Sequence, residues 1–437
     1  MPQQGGQRVA FVKSVGLEEA SSSVLNLKVL SSVFSYADCK ADKSLPIKST
    51  VMSVPPDLHQ QYLQACQNLS QPENPFIARV LQEADKSDNM KWTKGITLKI
   101  AGNNHLVPVQ RVTDEDLQVL AFVLRSSIFV TGLDLRYNVL TDVGAKHMAT
   151  FLQENSTLWY LNLMFNDIGT SGAELIAKAL HRNETLVYLR MTGNKIGNQG
   201  GMYFASMLQI NSTLEKLDLG DCDLEETTVH VASMLKNNSS LVELHLCKHE
   251  IKSFGVERLC EALYENCSLR YLDLSCNRIT RDDVKFLGEL LKRNQTLEIL
   301  DLNSNRIEDD GAVYLSEALA LYNRTFQVLS VVSNNISGKG LVALSQAMKT
   351  NMELSYIYIW GNKFDDATCM AFSELIQTGR LKPACTDVEP YEVDGYVYLA
   401  ELSHGLKKHY YWTPSCGEVT NKAANASLAV GAVLEYL

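Results

Sequence analysis

The 437-residue sequence lacks the features of two common functional classes. It has no apolar run of about 18 residues, so no membrane span is expected. Acidic residues outnumber basic ones by 50 to 40, the formal net charge is −10, and there is no basic stripe of the kind that contacts phosphates. We therefore expect neither a membrane partner nor direct binding to nucleic acid.

Several shorter signals are also missing. The ten cysteines show no paired spacing, which predicts reduced thiols rather than a disulfide framework. No phosphate loop of the form G-x-x-x-x-G-K-[ST] occurs, and residues 1–6 lack a signal-peptide core. Glycosylation triplets such as Asn155-Ser156-Thr157 recur at helix ends, where glycans would crowd neighbouring repeats. We expect an intracellular protein.

A repeat dominates the rest of the sequence. Residues 158–168 spell L-x-x-L-x-L-x-x-N-x-I, and the frame returns 28 residues later at Leu186 and again at Leu214. A weaker frame includes Leu98. Each period predicts a short strand followed by a helix, and neighbouring units must stack to bury their apolar sides. The nine clear frames open at Val130, Leu158, Leu186, Leu214, Leu241, Leu269, Leu297, Phe326 and Leu354.

This periodicity resembles the ribonuclease-inhibitor-like class of leucine-rich repeats over residues 95–380. The resemblance implies an α/β solenoid, or horseshoe, with parallel strands on the concave face and helices on the convex face. We predict three parts: an N-terminal segment (1–94), partly disordered, with a helical cap; about ten repeats (95–380); and a C-terminal β-hairpin and aromatic tail (381–437). Asp394-Gly395 between β-prone runs is the hairpin signal, and the Ala-rich end, 421–437, is predicted to be weakly helical.

Polar residues recur at two places in each repeat. One set follows the strands and is expected to bond the backbone of adjacent coils. The other, which includes Asn155 and Asn294, ends the helices, where Asn tolerates the left-handed conformation. The structural ladder after the strands consists of Asn138, Asn166, Asn194, Cys222, His249, Asn277, Asn305, Asn334 and Asn362.

Residues between the repeat leucines are expected to face the concave wall, because side chains alternate along a strand. We expect this wall to be aromatic at both ends and acidic in the middle. Such a surface would bind another protein through aromatic anchors and would attract a basic helix or tail. Alternatively, the caps cover the aromatics. The candidate residues are Tyr137, Trp159, Tyr160, Met164, Phe165, Tyr188, Asp218, Glu243, Asp273, Asp301, Tyr356, Tyr358 and Trp360.

The tail residues Tyr410, Tyr411 and Trp412 either cap the array or dock a partner. His245 and Cys247 are candidates for a metal site with Asp218 or Asp273, but the ladder position of His249 turns it inward and breaks the set. A Cys–His nucleophile pair lacks an orienting group and a pocket. We therefore expect no catalytic residue, metal or cofactor.

The segments 101–104, 132–138 and 393–412 resemble a vertebrate family of leucine-rich-repeat proteins. That resemblance implies a non-enzymatic nuclear, nucleolar and cytoplasmic protein of germ and stem cells, linked to ribosome maturation and pluripotency. The tail is also similar to the ends of axonemal leucine-rich-repeat proteins, which implies a structural role in cilia or flagella, such as a radial spoke or link. A third class, inhibitors and GTPase-activating proteins, is disfavoured because Arg136 and Arg190 have no predicted charged set around them. We predict a scaffold of the axonemal type, with nucleolar factors as the alternative partners.

Overall fold

The computed structural model describes residues 57–86, 95–104, 107–224, 227–402 and 430–432. Short strands recur through the array, and two longer strands follow it. The strands are β1 (Ile96–Lys99), β2 (Val130–Asp134), β3 (Tyr160–Asn162), β4 (Tyr188–Arg190), β5 (Lys216–Asp218), β6 (Glu243–His245), β7 (Tyr271–Asp273), β8 (Ile299–Asp301), β9 (Val328–Ser330), β10 (Tyr356–Tyr358), β11 (Val388–Val393), β12 (Tyr396–Glu401) and β13 (Val430–Ala432).

Two helices precede the first strand, and one helix follows each strand of the array. They are α1 (Leu58–Leu69), α2 (Pro75–Asp85), α3 (Asp114–Leu124), α4 (Asp142–Glu154), α5 (Thr170–Leu180), α6 (Gly197–Leu208), α7 (Thr228–Leu235), α8 (Ser253–Leu263), α9 (Arg281–Arg293), α10 (Glu308–Leu321), α11 (Gly338–Thr350) and α12 (Asp366–Gln377). A 3-10 turn, Pro383–Cys385, precedes β11.

Strands β1 to β10 form one continuous sheet in chain order, and all of these neighbours pair in parallel. A helix connects each strand of the array to the next, and successive helices pack against one another. The aliphatic residue at the centre of each strand from β3 to β10, such as Leu161 or Leu189, is fully buried. The predicted α/β leucine-rich-repeat solenoid is confirmed.

The ladder side chains join consecutive coils. Asn305 donates from Nδ2 to the carbonyl oxygen of Leu274 in the preceding coil, at 3.0 Å, and accepts at Oδ1 from the Asn277 and Ile279 amides at 3.0 and 2.9 Å. His249 makes equivalent bonds. Its Nε2–H donates to the Leu219 carbonyl oxygen at 2.8 Å, and its Nδ1 accepts from the Leu224 amide at 3.3 Å. A neutral imidazole therefore replaces the amide of Asn in this coil.

The asparagines that follow the helices do not adopt the backbone conformation that the sequence predicts. Asn155 and Asn294 lie in extended rather than left-handed conformation. Asn294 donates to the carbonyl oxygen of Leu263, the last residue of the preceding coil's helix, at 2.7 Å, and it accepts from its own coil's Leu297 amide at 2.8 Å. The extended backbone is favoured because it turns the amide toward the neighbouring coil, where a helix-end carbonyl needs a donor.

The left-handed backbone falls instead on the residue that precedes each ladder residue. Nine coils share this feature, and seven of them place a side chain there at φ between 50° and 62°. A side chain in this region costs about 1 kcal/mol or more relative to glycine. The nine residues are Tyr137, Phe165, Gly193, Asp221, Lys248, Cys276, Ser304, Ser333 and Gly361.

Both ends of the array carry additional elements. At the start, α2 packs against β1, and Asn74 caps α2 while donating to Asp116 of α3 at 2.8 Å. At the other end, buried Asp387 accepts from the amides of Ile359 and Trp360, at 2.9 and 3.0 Å. Those amides follow β10, where no eleventh coil supplies carbonyl groups. The Asp387 carboxylate therefore substitutes for the missing coil.

The C-terminal strand β13 pairs antiparallel with β1, with Gly431 opposite Thr97. The sequence predicts a weak helix for residues 421–437. This prediction is wrong for residues 430–432, which form a strand, and the rest of the range lies outside the described residues. The first strand of a solenoid has an open edge of unpaired backbone groups. An extended segment satisfies these groups, and a helix would not.

We predict that Asn305→Ala lowers the free energy of unfolding by about 3 kcal/mol, because it leaves buried donors and acceptors in two coils without partners. Chemical denaturation followed by circular dichroism measures the loss. Asn237→Ala, at an exposed position, is the matched control and should change stability by less than about 0.5 kcal/mol. Equal stability of both variants would show that the ladder amides do not hold the coils together.

We also predict that Gly431→Pro exposes the edge of β1. Proline removes the backbone donor of residue 431 and disfavours strand pairing. Hydrogen exchange measured by mass spectrometry should become about tenfold faster at residues 96–98. Strand β2, one strand further in, is the internal control. Unchanged exchange at residues 96–98 would contradict the pairing of β13 with β1.

Candidate protein-binding surface

The register of the sheet places two rows of side chains on the face opposite the helices. Large side chains in the first row lie close together because adjacent strands are only about 4.8 Å apart. The Tyr160 and Tyr188 rings lie 5.3 Å apart, and the Lys216 ammonium lies 5.6 Å from the Tyr188 ring. One row contains Gly132, Tyr160, Tyr188, Lys216, Glu243, Tyr271, Ile299, Val328 and Tyr356, and the other contains Asp134, Asn162, Arg190, Asp218, His245, Asp273, Asp301, Ser330 and Tyr358.

Most of the wall residues predicted to form an open surface are buried. The predicted exposure is wrong for them because in-register neighbours on successive coils pack against one another. Tyr160 is 0 % exposed and Tyr188 is 6 % exposed, and burial raises the pKa of both phenols. The buried residues are Tyr160, Met164, Tyr188, Asp218, Asp273, Asp301, Tyr356 and Tyr358, whereas Tyr137, Trp159, Phe165, Glu243 and Trp360 are partly exposed.

The acidic middle of the wall is paired with cations that the sequence analysis missed. Asp218 lies 3.5 Å from the Arg190 Nε and also contacts the hydroxyl group of Thr192. Glu243 lies 3.4 Å from the Lys216 Nζ. The premise that unpaired acids attract a basic helix is therefore wrong for Asp218 and Glu243.

His245 lies between two carboxylates. Its Nε2 is 2.7 Å from Glu243 and its Nδ1 is 3.2 Å from Asp273. Burial opposes the charged imidazolium, but hydrogen bonds to Asp273 and Glu243 outweigh it and raise the pKa of His245 to about 10. Burial likewise opposes ionisation of Glu243, yet hydrogen bonds from His245 and Lys216 lower its pKa to about 2. The set is an ionised, charge-compensated cluster.

The expectation that Arg136 and Arg190 lack charged neighbours is wrong. Arg190 faces Asp218, and the Arg136 Nε lies 3.3 Å from Asp134, so both arginines do have charged neighbours. Within the described residues, no group of three or more His, Cys, Asp or Glu side chains has the geometry to hold a metal ion. His245 uses both ring nitrogens on carboxylates, which leaves neither as a ligand.

A partly exposed aromatic group lies at the rim of the early wall. The Tyr137 and Phe165 rings stack with centroids 4.6 Å apart and an angle of 14°. Both residues occupy the left-handed position, where later coils place Gly, Ser, Asp, Lys or Cys. Trp159 is also partly exposed and lies 6.1 Å from the Tyr160 ring. Trp159 precedes β3 whereas Phe165 follows it, so we call only Tyr137 and Phe165 the aromatic rim. The predicted docking residues Tyr410, Tyr411 and Trp412 lie outside the described residues.

Comparison with known proteins agrees with this geometry. A leucine-rich repeat family model matches seven stretches, at residues 126–149, 154–177, 182–205, 211–226, 265–288, 293–316 and 322–345. The chain is therefore a leucine-rich repeat protein. No helix among the described residues has the length and apolar character needed to cross a membrane.

Curated relatives define the family more narrowly. Human leucine-rich repeat-containing protein 34 is 57% identical over 405 residues, which cover 85% of this chain and 87% of the relative. The mouse protein of the same name is 54% identical over 412 residues, covering 87% of this chain and 99% of the relative. The chain belongs to the leucine-rich repeat-containing protein 34 family, which confirms the resemblance seen in the sequence.

We predict that His245→Gln destabilises the protein by about 3 kcal/mol near neutral pH, because it leaves Asp273 and Glu243 without their shared cation. The folded-state pKa of His245 lies above its ordinary value of 6.5. Its stabilising effect is therefore full below pH 6.5 and is lost as pH rises toward 10. Denaturation of both proteins across this range measures the effect.

His249→Asn is the matched control for this prediction. It restores the ladder residue of the other coils and should retain stability. Burial lowers the pKa of His249, so the wild-type contribution of this residue falls as pH decreases below 6.5, the opposite direction from His245. A difference between wild type and His245→Gln that stays constant from pH 6.5 to 10 would contradict a charged His245.

Proposed function

We propose that this protein is a non-enzymatic scaffold that binds other proteins and serves as a structural subunit of a large intracellular assembly, such as an axonemal spoke or link. The aromatic rim carries the proposal. Tyr137 and Phe165 hold bulky rings at left-handed backbone positions, where smaller residues suffice in later coils. Among the nine coils that share this left-handed position, only these two place an aromatic ring there.

The rim has the chemistry of a protein contact. Aromatic side chains provide large apolar area, and tyrosine adds a polar atom, which makes them frequent anchors of interfaces. Because Tyr137 and Phe165 come from two successive coils and stack on each other, their spacing is set by the sheet and needs little ordering upon binding. The axonemal assignment is further supported by the similarity of the tail to axonemal proteins.

The wall behind the rim supports a structural role. Its central charges pair with one another through Arg190–Asp218 and Glu243–His245–Asp273 contacts. Such pairing leaves little unsatisfied charge for a substrate and favours a fixed surface. We accordingly propose that partner affinity comes from aromatic contacts at the rim, with charge playing a smaller part.

The left-handed position permits a substitution that separates binding from folding. Tyr137→Gly and Phe165→Gly remove the rings and relieve backbone strain, as Gly193 does in the next coil. We predict that the double variant folds but loses at least about tenfold in retention on detergent-extracted axonemes of ciliated cells. Cys276→Gly, at the equivalent position of a later coil, is the matched control and should be retained like wild type.

Two results would contradict parts of this proposal. Equal retention of the double variant and Cys276→Gly would show that the rim is not the interface. Release of wild-type protein by detergent, with signal in nucleoli, would favour the alternative, a nuclear or nucleolar regulatory factor of germ and stem cells linked to ribosome maturation and differentiation.

A further inference from the structure

The C-terminal hairpin carries an aromatic patch that is separate from the rim. Strands β11 and β12 pair in register, with Tyr391 opposite Tyr398 and Val393 opposite Tyr396. Asp394 and Gly395 form the turn, and both have positive φ, as a type I′ hairpin turn requires. Residues 388–401 therefore form a regular two-faced ribbon.

One face of the ribbon is inside the protein. Val388 and Leu399 are buried, and both strands pack against α12. Because side chains alternate along a strand, the residues between them point the other way. The sequence signal at Asp394-Gly395 predicts a hairpin, but it does not reveal which face α12 covers.

The opposite face is apolar as well, although solvent reaches it. Tyr391 is 46 % exposed, Val393 47 %, Tyr396 60 % and Tyr398 42 %. The Tyr391 and Tyr398 rings stack with centroids 5.6 Å apart. An antiparallel ribbon with one buried face usually presents polar residues on the other. Four adjacent large side chains on this face indicate a contact surface.

The charges within the hairpin itself are all of one sign. Between residues 388 and 401 there are four exposed carboxylates, Glu389, Glu392, Asp394 and Glu401, and no Lys, Arg or His. The strand register places Glu389 on the same face as the tyrosines and Asp394 at the turn, whereas Glu392 and Glu401 lie on the face of Val388 and Leu399. Exposed tyrosine rings bind cations through their faces, and Arg stacks on them better than Lys because its guanidinium group is planar and less strongly hydrated.

We propose that the outer face of this hairpin, Tyr391, Val393, Tyr396 and Tyr398 with Glu389 and the turn residue Asp394, binds an arginine-bearing extended segment of a partner protein. Guanidinium groups would stack on the tyrosine rings, and the carboxylates would neutralise their charge. The hairpin thus gives the scaffold a second interface whose partner chemistry differs from that of the aromatic rim. The inference rests on the proposed scaffold function, but it is tested on different residues.

The test uses the full chain and two fluorescent peptides of equal charge, one alternating Arg with Gly and one alternating Lys with Gly, measured by fluorescence anisotropy. We expect the Arg peptide to bind more tightly. Tyr396→Thr with Tyr398→Thr should weaken its binding about tenfold, while threonine keeps the strand propensity. Tyr322→Thr, at a tyrosine of similar exposure directly after α10, should leave binding unchanged.

The contribution of charge is tested separately. Glu389→Gln with Asp394→Asn should weaken binding and reduce its dependence on salt, and asparagine tolerates the left-handed backbone of residue 394. Glu184→Gln with Glu265→Gln removes two exposed carboxylates elsewhere and is the matched control. Undetectable binding of the Arg peptide to wild type, or equal binding by the hairpin variants and their controls, would overturn the proposal. Retention of the hairpin variants on detergent-extracted axonemes is measured separately. It reports on the aromatic rim, so failure of the hairpin proposal can be distinguished from failure of the rim proposal.

Discussion

The hydrogen bond from one coil's side-chain amide to the next coil's backbone is the interaction on which this structure depends. Most strands of the array span only three residues, which is too short to hold a sheet by strand pairing alone. The Asn305 amide and its equivalents extend that pairing into the turns, where backbone groups would otherwise be buried without partners. A second set, represented by Asn294, does the same at the helix ends. The two ladders hold the strand side and the helix side of each coil at one fixed spacing.

That spacing determines the chemistry of the concave wall. Side chains at one repeat position must contact their equivalents in adjacent coils, so their charges have to be compatible. Arg190 and Asp218 lie in register on neighbouring strands, and so do His245 and Asp273. A buried carboxylate without such a neighbour would be costly. Charge alternates along this row from Arg190 to Asp273, and the next residue in register, Asp301, is again acidic. The alternating part belongs to the fold as well as to the surface, and it moves the search for a partner away from the centre of the wall.

The repeat frame predicts the strands, the helices and the ladder residues, because all three depend on the spacing of residues within one repeat. His249 was placed inward for the same reason. The partners of Asp218 and Glu243 were missed, because each lies about one repeat away and only the register brings the two together. The position of β13 was missed because it depends on an open edge more than 330 residues earlier, between Ile96 and Lys99. The sequence overestimates the exposure of the wall. The alternation of side chains along one strand does not show that tyrosines in register on adjacent strands pack against one another.

Two groups of accessible aromatics lie outside the two rows of the wall. Tyr137 and Phe165 follow their strands and stack on each other, and Tyr391 and Tyr398 lie on the hairpin that follows the array. The two proposed interfaces differ in chemistry. The rim offers the faces of two stacked rings, whereas the hairpin has four carboxylates and no cation between residues 388 and 401, with Glu389 on the tyrosine face. Two partners of different chemistry would then be held at a distance fixed by the ladders, which is the physical property that the proposed scaffold function requires.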